Sequence, residues 1–210
     1  MENETKTRIL ECAQTEFAEK GFMRASLRSI CKNAGVTTGA LYFFFKDKED
    51  LFASLVKEPL EKVNAILLMH YQKQRIRMQE PNLKMEDFVL CMDKWEQILP
   101  VLYAYRESFL LLLTKAQGSS LETIRDSFVA IEQKENELLA GEMERRFHIL
   151  PVEAAVLRWI SQLHVGAFVD IVVQMETETD ALTHLNRIFP YLASGWRGIF
   201  GIKKESENIR

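Results

Sequence analysis

Cysteines are few in this sequence, and they are too scattered to suggest a metal site or a disulfide framework. Cys12, Cys31 and Cys91 are odd in number, and each is flanked by residues with a helical pattern. Cysteines that bind metal or form disulfide frameworks usually occur at characteristic spacings, which are missing here. We therefore predict reduced thiols in or near the core of a protein from a reducing compartment.

Long apolar runs are also missing. Runs such as Phe109–Leu113 are far shorter than the roughly 20 residues that span a bilayer. The N-terminal residues MENETKTR lack the apolar region of a signal peptide. These absences predict a cytoplasmic protein with no membrane partner.

Catalytic and metal-binding motifs are equally scarce. His70, His148, His164 and His184 are not grouped with other ligands at metal-site spacing. The sequence has neither a phosphate-binding Gly-rich loop nor the nucleophile elbow of hydrolases. We predict no metal, no cofactor and no enzymatic activity. Because helical enzymes can assemble a site from distant helices, a helical enzyme stays an alternative.

The sequence has no excess of positive charge, which argues against a protein that binds polyanions over its whole surface. The formal net charge is −3 at pH 7. Residues 1–57 contain nine Lys or Arg and eight Asp or Glu, whereas the remaining residues contain 18 and 22. A nucleic-acid surface would therefore have to lie in the N-terminal part.

What the sequence does contain is helical periodicity along its whole length. Period-2 alternation is never sustained, and Gly or Pro falls between the helical runs. We therefore predict an all-α fold. In the first run Ile9, Ala13 and Phe17 share one face, and Gly21 can take the left-handed conformation that ends a helix.

Three polar residues stand where the next helices would begin. Ser26 can cap a second helix that ends at Gly35, Thr37 can cap a third, and Asp47 can cap a fourth. Lys48 would then place a cation beside the exposed N–H groups of the fourth helix. That arrangement suits a phosphate oxygen.

Four aromatic residues follow one another on the third helix. Phe45 lies four residues after Leu41, and Phe44 three, so these side chains are predicted to point inward. Tyr42 and Phe43 are left on or near the outer face. Two of the rings would hold a short helix onto a small domain, and the other two would face outward.

A helix, a Gly-containing turn and a second helix with small leading residues are typical of a helix-turn-helix. Gly39 and Ala40 would allow the second helix to approach the major groove closely. From spacing alone, a plain three-helix packing module with an exposed Tyr stays open as the alternative.

From about Thr7 to Leu55 the sequence resembles the DNA-binding domain of the tetracycline-repressor (TetR) family of bacterial regulators. The resemblance rests on F-x-x-K-G-F, A-G-V-T-x-G-x-L-Y-x-x-F and K-x-x-L-F, in that order. It implies phosphate contacts from Ser26, Thr37, Tyr42 and Lys48, and base contacts from Thr38, Gly39, Ala40 and Phe43. Phe44 departs from the family, which often has His or Tyr there, so one polar backbone contact would be missing.

The resemblance also implies the domain organisation. We predict a helix-turn-helix domain over residues 1–50, a regulatory ligand-binding and dimerisation domain over residues 51–203, and a tail over residues 204–210. A helix starting at Pro151 and a last helix from Glu178 to about Phe200 would form the interface of a homodimer. The core of a monomeric domain is the alternative for these two helices.

The middle helices are predicted to line a pocket for a small effector. Family members bind such a molecule and thereby release a palindromic DNA operator, so repression is the expected mode of regulation. The candidate ligand-binding residues are Met92, Trp95, Tyr103, Arg106, Phe109, Gln117, Phe128, Phe147, His164 and Phe168. Aromatics at helical spacing also occur as plain core, and regulation by a protein partner stays an alternative.

Overall fold

The computed structural model describes residues 2–84 and 93–201, and within these ranges every regular element is a helix, as predicted. The helices are α1 (Glu2–Arg24), α2 (Leu27–Ala34), α3 (Thr38–Phe44), α4 (Lys48–Arg77), α5 (Asp93–Ala104), α6 (Arg106–Thr114), α7 (Ile124–Phe147), α8 (Ala154–Gln174) and α9 (Glu178–Ile199).

The chain divides into two compact units. The first unit comprises the residues up to Val63 together with Ala104–Arg125, and the second comprises Asn64–Tyr103 and the residues from Asp126 onward. The predicted boundary after residue 50 lies inside α4. Where the folding domains begin and end stays a prediction.

The first unit is built around three phenylalanine rings. The ring centroid of Phe17 lies 6.0 Å from that of Phe22 and 5.0 Å from that of Phe52, in stacked and edge-on geometry. Large rings contribute most of the apolar burial that such a small unit can achieve. Cys31 is buried in the same core, and burial raises the pKa of its thiol, consistent with a reduced core cysteine.

Side-chain caps begin the short helices where the sequence predicted them. The Ser26 hydroxyl accepts from the Ser29 N–H at 3.4 Å, and the Thr37 hydroxyl accepts from the Ala40 N–H at 3.2 Å. Gly35 ends α2 in the left-handed conformation, with φ 65° and ψ 35°. These caps satisfy N–H groups that the first turn of a helix leaves without partners.

One predicted helix end is confirmed in place and another is not. Gly21 interrupts the helical backbone where the sequence predicted the first run to end, with the expected positive φ of 71° but a ψ of 164° instead of a left-handed value, and α1 as bounded here continues past it to Arg24. The prediction that a helix begins at Pro151 is wrong. α8 begins at Ala154 with Glu153 before it and no side-chain cap, because a proline favours the first turn of a helix but does not by itself start one.

The second unit contains a layer of buried polar side chains as well as an apolar cluster. Met143 and Leu157 are buried in the cluster with Leu139, Met78 and Phe200. The buried polar residues are His70, Glu132, Asn136 and Ser161. Since buried polar groups are costly unless they form hydrogen bonds, such a layer indicates where this unit holds a polar site.

α8 is the most apolar long helix among the described residues. By length and composition it could cross a membrane, with a mean hydropathy of 1.4 over 18 residues. Core helices of soluble proteins pass the same test, so the prediction that the protein has no membrane partner is untouched. Leu157 and Ile160 are buried within the unit, whereas Trp159 and Leu163 are 59% and 37% exposed.

Candidate nucleic-acid interface

The short helix α3 turns one face into the core of the first unit and the other outward. Leu41 is fully buried and Phe45 is 2% exposed, whereas Tyr42 is 56% and Phe43 71% exposed. Phe44 is half-buried against the core. The predicted division of the aromatic run into inward and outward rings is therefore confirmed.

The leading turn of α3 is small and open. Thr38 and Gly39 are exposed and Ala40 is half-buried. Small side chains in the first turn allow the backbone of a helix to approach the base edges of the major groove closely. Together with Tyr42 and Phe43, these residues form an outward surface that we call the α3 face.

Ser26 and Thr37 use their hydroxyl oxygens as helix caps. An oxygen that accepts a hydrogen bond keeps its own O–H as a donor. Capping is therefore compatible with the phosphate contacts predicted for both residues.

Glu16 holds α1 to the start of α2, a role that the sequence did not indicate. Its buried carboxylate accepts from the Lys20 ammonium at 2.8 Å, the Ser26 N–H at 3.0 Å and the Ser29 hydroxyl at 2.9 Å. Burial alone would raise the pKa of Glu16, but these hydrogen bonds and the Lys20 charge outweigh it, and the pKa lies below its ordinary value. The carboxylate thus stays ionised and fixes the entry into the helix-turn-helix.

Lys48 points back toward the end of α1. Its ammonium donates to the carbonyl oxygens of Phe22, Met23 and Ala25 at 2.8, 3.3 and 3.4 Å, and it lies 4.5 Å from the centre of the Phe22 ring. A lysine has three N–H donors, and all three have acceptors here. This position at a helix C-terminus differs from the predicted phosphate contact, which stays a prediction.

The N-terminus of α4 is closed by a reciprocal pair. The Asp47 carboxylate accepts from the Asp50 N–H at 2.9 Å, as the sequence predicted, and the Asp50 carboxylate accepts from the Lys46 N–H at 2.9 Å. One N–H of the first helical turn and one from the segment just before the helix are thereby satisfied.

A second candidate site is a cavity of about 70 Å³ in the second unit. Two of the predicted ligand-binding residues, Trp95 and His164, line it. The others in its wall are His70, Tyr71, Gln74, Glu132, Glu135, Asn136, Leu139, Phe189, Leu192, Ala193, Trp196 and Phe200. Most of these were not predicted, because they come from helices far apart in the sequence.

Hydrogen bonds fix the polar side of this cavity. The Tyr71 hydroxyl donates to Glu132 at 2.6 Å, and His164 Nδ1 lies 3.3 Å from the other carboxylate oxygen. The Asn136 amide donates to the Ser161 hydroxyl at 2.9 Å. Burial, together with the Glu132 charge, raises the pKa of Tyr71 far above its ordinary value, so Tyr71 acts as a neutral donor.

The remaining predicted ligand residues lie elsewhere. Phe168 packs on Trp95 at 4.7 Å between ring centroids, and the Tyr103 hydroxyl donates to the Met175 carbonyl at 3.1 Å. Phe128 and Phe147 are half-buried in the second unit. Arg106, Phe109 and Gln117 belong to the first unit. Met92 lies outside the described residues.

No group of three or more His, Cys, Asp or Glu side chains that could hold a metal occurs in residues 2–84 and 93–201.

Comparison with known proteins links residues 9–55 to a family described as "Bacterial regulatory proteins, tetR family". The HTH-type transcriptional regulator UidR of Escherichia coli K12 is 39% identical over 61 residues, which are 29% of this chain and 31% of UidR. The match thus spans about a third of that relative's length.

Two solved structures share the fold. A TetR-like transcriptional regulator from Rhodococcus sp. RHA1 has a TM-score of 0.55 at 23% identity, over 94% of this chain and 96% of that one. The regulator FadR from Bacillus subtilis, solved with stearoyl-CoA, has a TM-score of 0.53 at 21% identity, over 90% and 98%. These likenesses establish the fold class: an N-terminal helix-turn-helix with a larger helical domain after it.

Proposed function

We propose that this chain, whose residues 9–55 match the TetR family of bacterial regulators, is a transcriptional repressor released by a small molecule. The observation that carries the proposal is the α3 face. α3 buries Leu41 and Phe45 but leaves Tyr42 and Phe43 mostly exposed. The two exposed rings therefore add little to the stability of the free chain. They are available to contact DNA.

The α3 face would recognise DNA bases through both polar and apolar contacts. Thr38 can hydrogen-bond to a base edge, and Gly39 and Ala40 allow close approach. Phe43 has no polar atom, so the contact available to its ring is an apolar one with a thymine methyl group. Ser26, Thr37 and Tyr42 would donate to phosphate oxygens and set the register.

A homodimer through α8 and α9 would supply the two copies that a palindromic operator needs. Four large side chains on these helices are exposed in the single chain: Trp159, Leu163, Leu182 and Tyr191 are 59%, 37%, 39% and 71% exposed. We assign this apolar surface to a second copy of the chain rather than to lipid, because charged residues such as Arg158 and Asp170 lie on the same helix as Trp159.

The cavity of the second unit would hold the effector. FadR, which shares the fold, was solved in complex with stearoyl-CoA, so a protein of this fold can bind a small molecule. A repressor controlled by a protein partner is the second candidate function, and the small volume of the cavity favours it. We further propose that the protein works in the cytoplasm and has no enzymatic activity.

The test is binding of the chain to a pool of random duplexes, with selection and sequencing of the bound fraction. We expect a near-palindromic sequence with half-sites about one helical turn apart. Retention of all duplexes alike at physiological salt would overturn the regulator proposal. If a sequence is selected but no small molecule releases it, control by a protein partner replaces control by an effector.

A further inference from the structure

Phe43 is the more exposed of the two rings on the α3 face. Its side chain is 71% exposed, whereas that of Phe44 beside it is half-buried. An exposed side chain moves between rotamers, and binding that requires a single rotamer costs entropy. A ring that recognises a base would therefore bind more tightly if another side chain already held it.

Phe44 contacts the Phe43 ring edge-on. The two ring centroids lie 5.0 Å apart and the ring planes are 87° apart, which is a favourable geometry for an aromatic pair. Consecutive residues of a helix point in directions about 100° apart and do not ordinarily face each other. The contact therefore depends on the particular rotamers that these two side chains adopt.

Phe44 is itself held by the core of the first unit. It packs against that core, and its ring centroid lies 6.4 Å from that of Phe45. Phe45 is 2% exposed, and the Lys6 ammonium lies 5.8 Å from the centre of its ring. Three consecutive rings thus connect the buried core to the exposed Phe43.

We propose that Phe44 is a positioning residue that holds Phe43 in one orientation for contact with the methyl group of a thymine. The inference rests on the proposed function and names thymine as a base that each half-site of the operator contains. Thymine alone among the bases presents a methyl group in the major groove. Phe44 acts through the Phe43 ring rather than through a DNA contact of its own.

Deoxyuridine tests the contact, because it differs from thymidine only by lacking the methyl group. Each thymine of the selected half-site is replaced in turn, and the affinity of the full chain for each duplex is measured. We expect a loss of about fourfold per half-site at one position, and no such loss at that position in Phe43→Ala. If no replacement lowers the affinity, or if the loss persists in Phe43→Ala, the inference is overturned.

Variants of Phe44 test the positioning role. Phe44→Leu and Phe44→Met keep an apolar side chain against the core but remove the ring, so we expect the ratio of affinities for the thymine and deoxyuridine duplexes to fall from about four toward one. Phe44→Tyr keeps the ring, and we expect it to keep the ratio. Because each variant is compared with itself on two duplexes, an unfolded fraction lowers both affinities alike and leaves the ratio unchanged.

Two results would contradict the positioning role. A ratio in Phe44→Leu and Phe44→Met equal to that of the natural chain would show that Phe44 only packs against the core. A ratio that falls as far in Phe44→Tyr as in the variants without a ring would show that the ring is not what holds Phe43.

The outcome separates this inference from the proposed function. If the chain selects a duplex but Phe43 does not discriminate thymine from deoxyuridine, the inference is wrong and the repressor proposal stands. If the chain selects no duplex, the repressor proposal is wrong and this inference falls with it.

Discussion

Glu16 and Lys48 tie together parts of the first unit that are distant in sequence. Glu16 reaches the Ser26 N–H ten residues later, and Lys48 reaches the Phe22 carbonyl 26 residues earlier. Both are charge-assisted hydrogen bonds, which are stronger than neutral ones. Neither residue belongs to the α3 face, and neither is assigned a contact with a DNA base. Both instead hold in place the helices next to α3.

Glu16→Gln should destabilise the first unit. The amide keeps one acceptor, but its NH₂ group faces donors that the carboxylate satisfied, so we expect a loss of about 1–3 kcal/mol in unfolding free energy. Chemical denaturation against the control Glu19→Gln, an exposed position on α1, measures it. A loss no larger than that of the control would contradict the role assigned to the Glu16 hydrogen bonds.

The same variant predicts a pH dependence. The pKa of Glu16 is lowered from 4.5 in the folded chain, so its ionised form stabilises the fold above pH 4.5, and this contribution is lost as the pH falls through the lowered value. We expect the difference in stability between the natural chain and Glu16→Gln to be constant at neutral pH and to shrink below about pH 4.5. A difference that grows on acidification would show the opposite sign of shift.

Lys48→Met separates a structural role from a phosphate contact. Because the ammonium donates to three carbonyl oxygens, we expect lower thermal stability. The predicted phosphate contact would in addition reduce the slope of log K against log salt by about 1 per half-site, so lower stability with an unchanged slope would show that the role of Lys48 is structural alone. Lys57→Met, at an exposed position on α4, serves as the control.

Thr38→Ala should act on specificity. If Thr38 reads a base, we expect relaxed preference at one position of each half-site, with a loss of about 1–3 kcal/mol for the selected sequence. Affinities for the selected duplex and for its single-position variants measure this. A uniform loss across all duplexes would assign Thr38 to the DNA backbone.

At the scale of the helices, the sequence best predicted the helix ends that depend on residues only a few positions apart. Ser26, Thr37 and Asp47 cap helices through atoms three residues ahead, and Gly35 ends α2 by its own backbone conformation. The start of α8 was missed because a proline alone does not fix where hydrogen bonding begins. Most of the cavity residues were not predicted, because they come from five helices, α4, α5, α7, α8 and α9. No pattern among residues close in sequence indicates which side chains of distant helices meet in the fold.

A substitution on α9 tests whether the proposed homodimer forms through this helix. Gly195 is exposed and has open space where a side chain would begin, so Gly195→Arg should leave the single chain folded. At a closed interface it would bury an unpaired charge, and we expect the dimer to dissociate with helicity retained. Ala193 is 7% exposed and lines the cavity, so an arginine there would disturb the chain itself. Light scattering that shows an unchanged mass for Gly195→Arg would place the interface elsewhere.

At the scale of the whole molecule, α4 is the element that belongs to both units. It contributes Phe52 to the core of the first unit and Tyr71 to the cavity of the second. If ligand and operator bind as proposed, both can therefore bias the same helix. Since such coupling is reciprocal, the operator would weaken ligand binding by the same factor as the ligand weakens operator binding, about 5- to 150-fold for 1–3 kcal/mol.

Tyr71→Phe is predicted to reduce this coupling. It removes the hydroxyl that joins α4 to Glu132 on α7 at 2.6 Å, so a ligand in the cavity would lose one hydrogen-bonded connection to α4. We expect operator affinity without ligand to stay within a few-fold, while the ratio of operator affinities with and without ligand falls toward one. Because the factor must be the same in both directions, ligand affinity measured with and without operator checks the result independently. An unchanged ratio in Tyr71→Phe would show that the signal reaches α4 by another route, such as the Arg75–Glu135 ion pair or packing contacts.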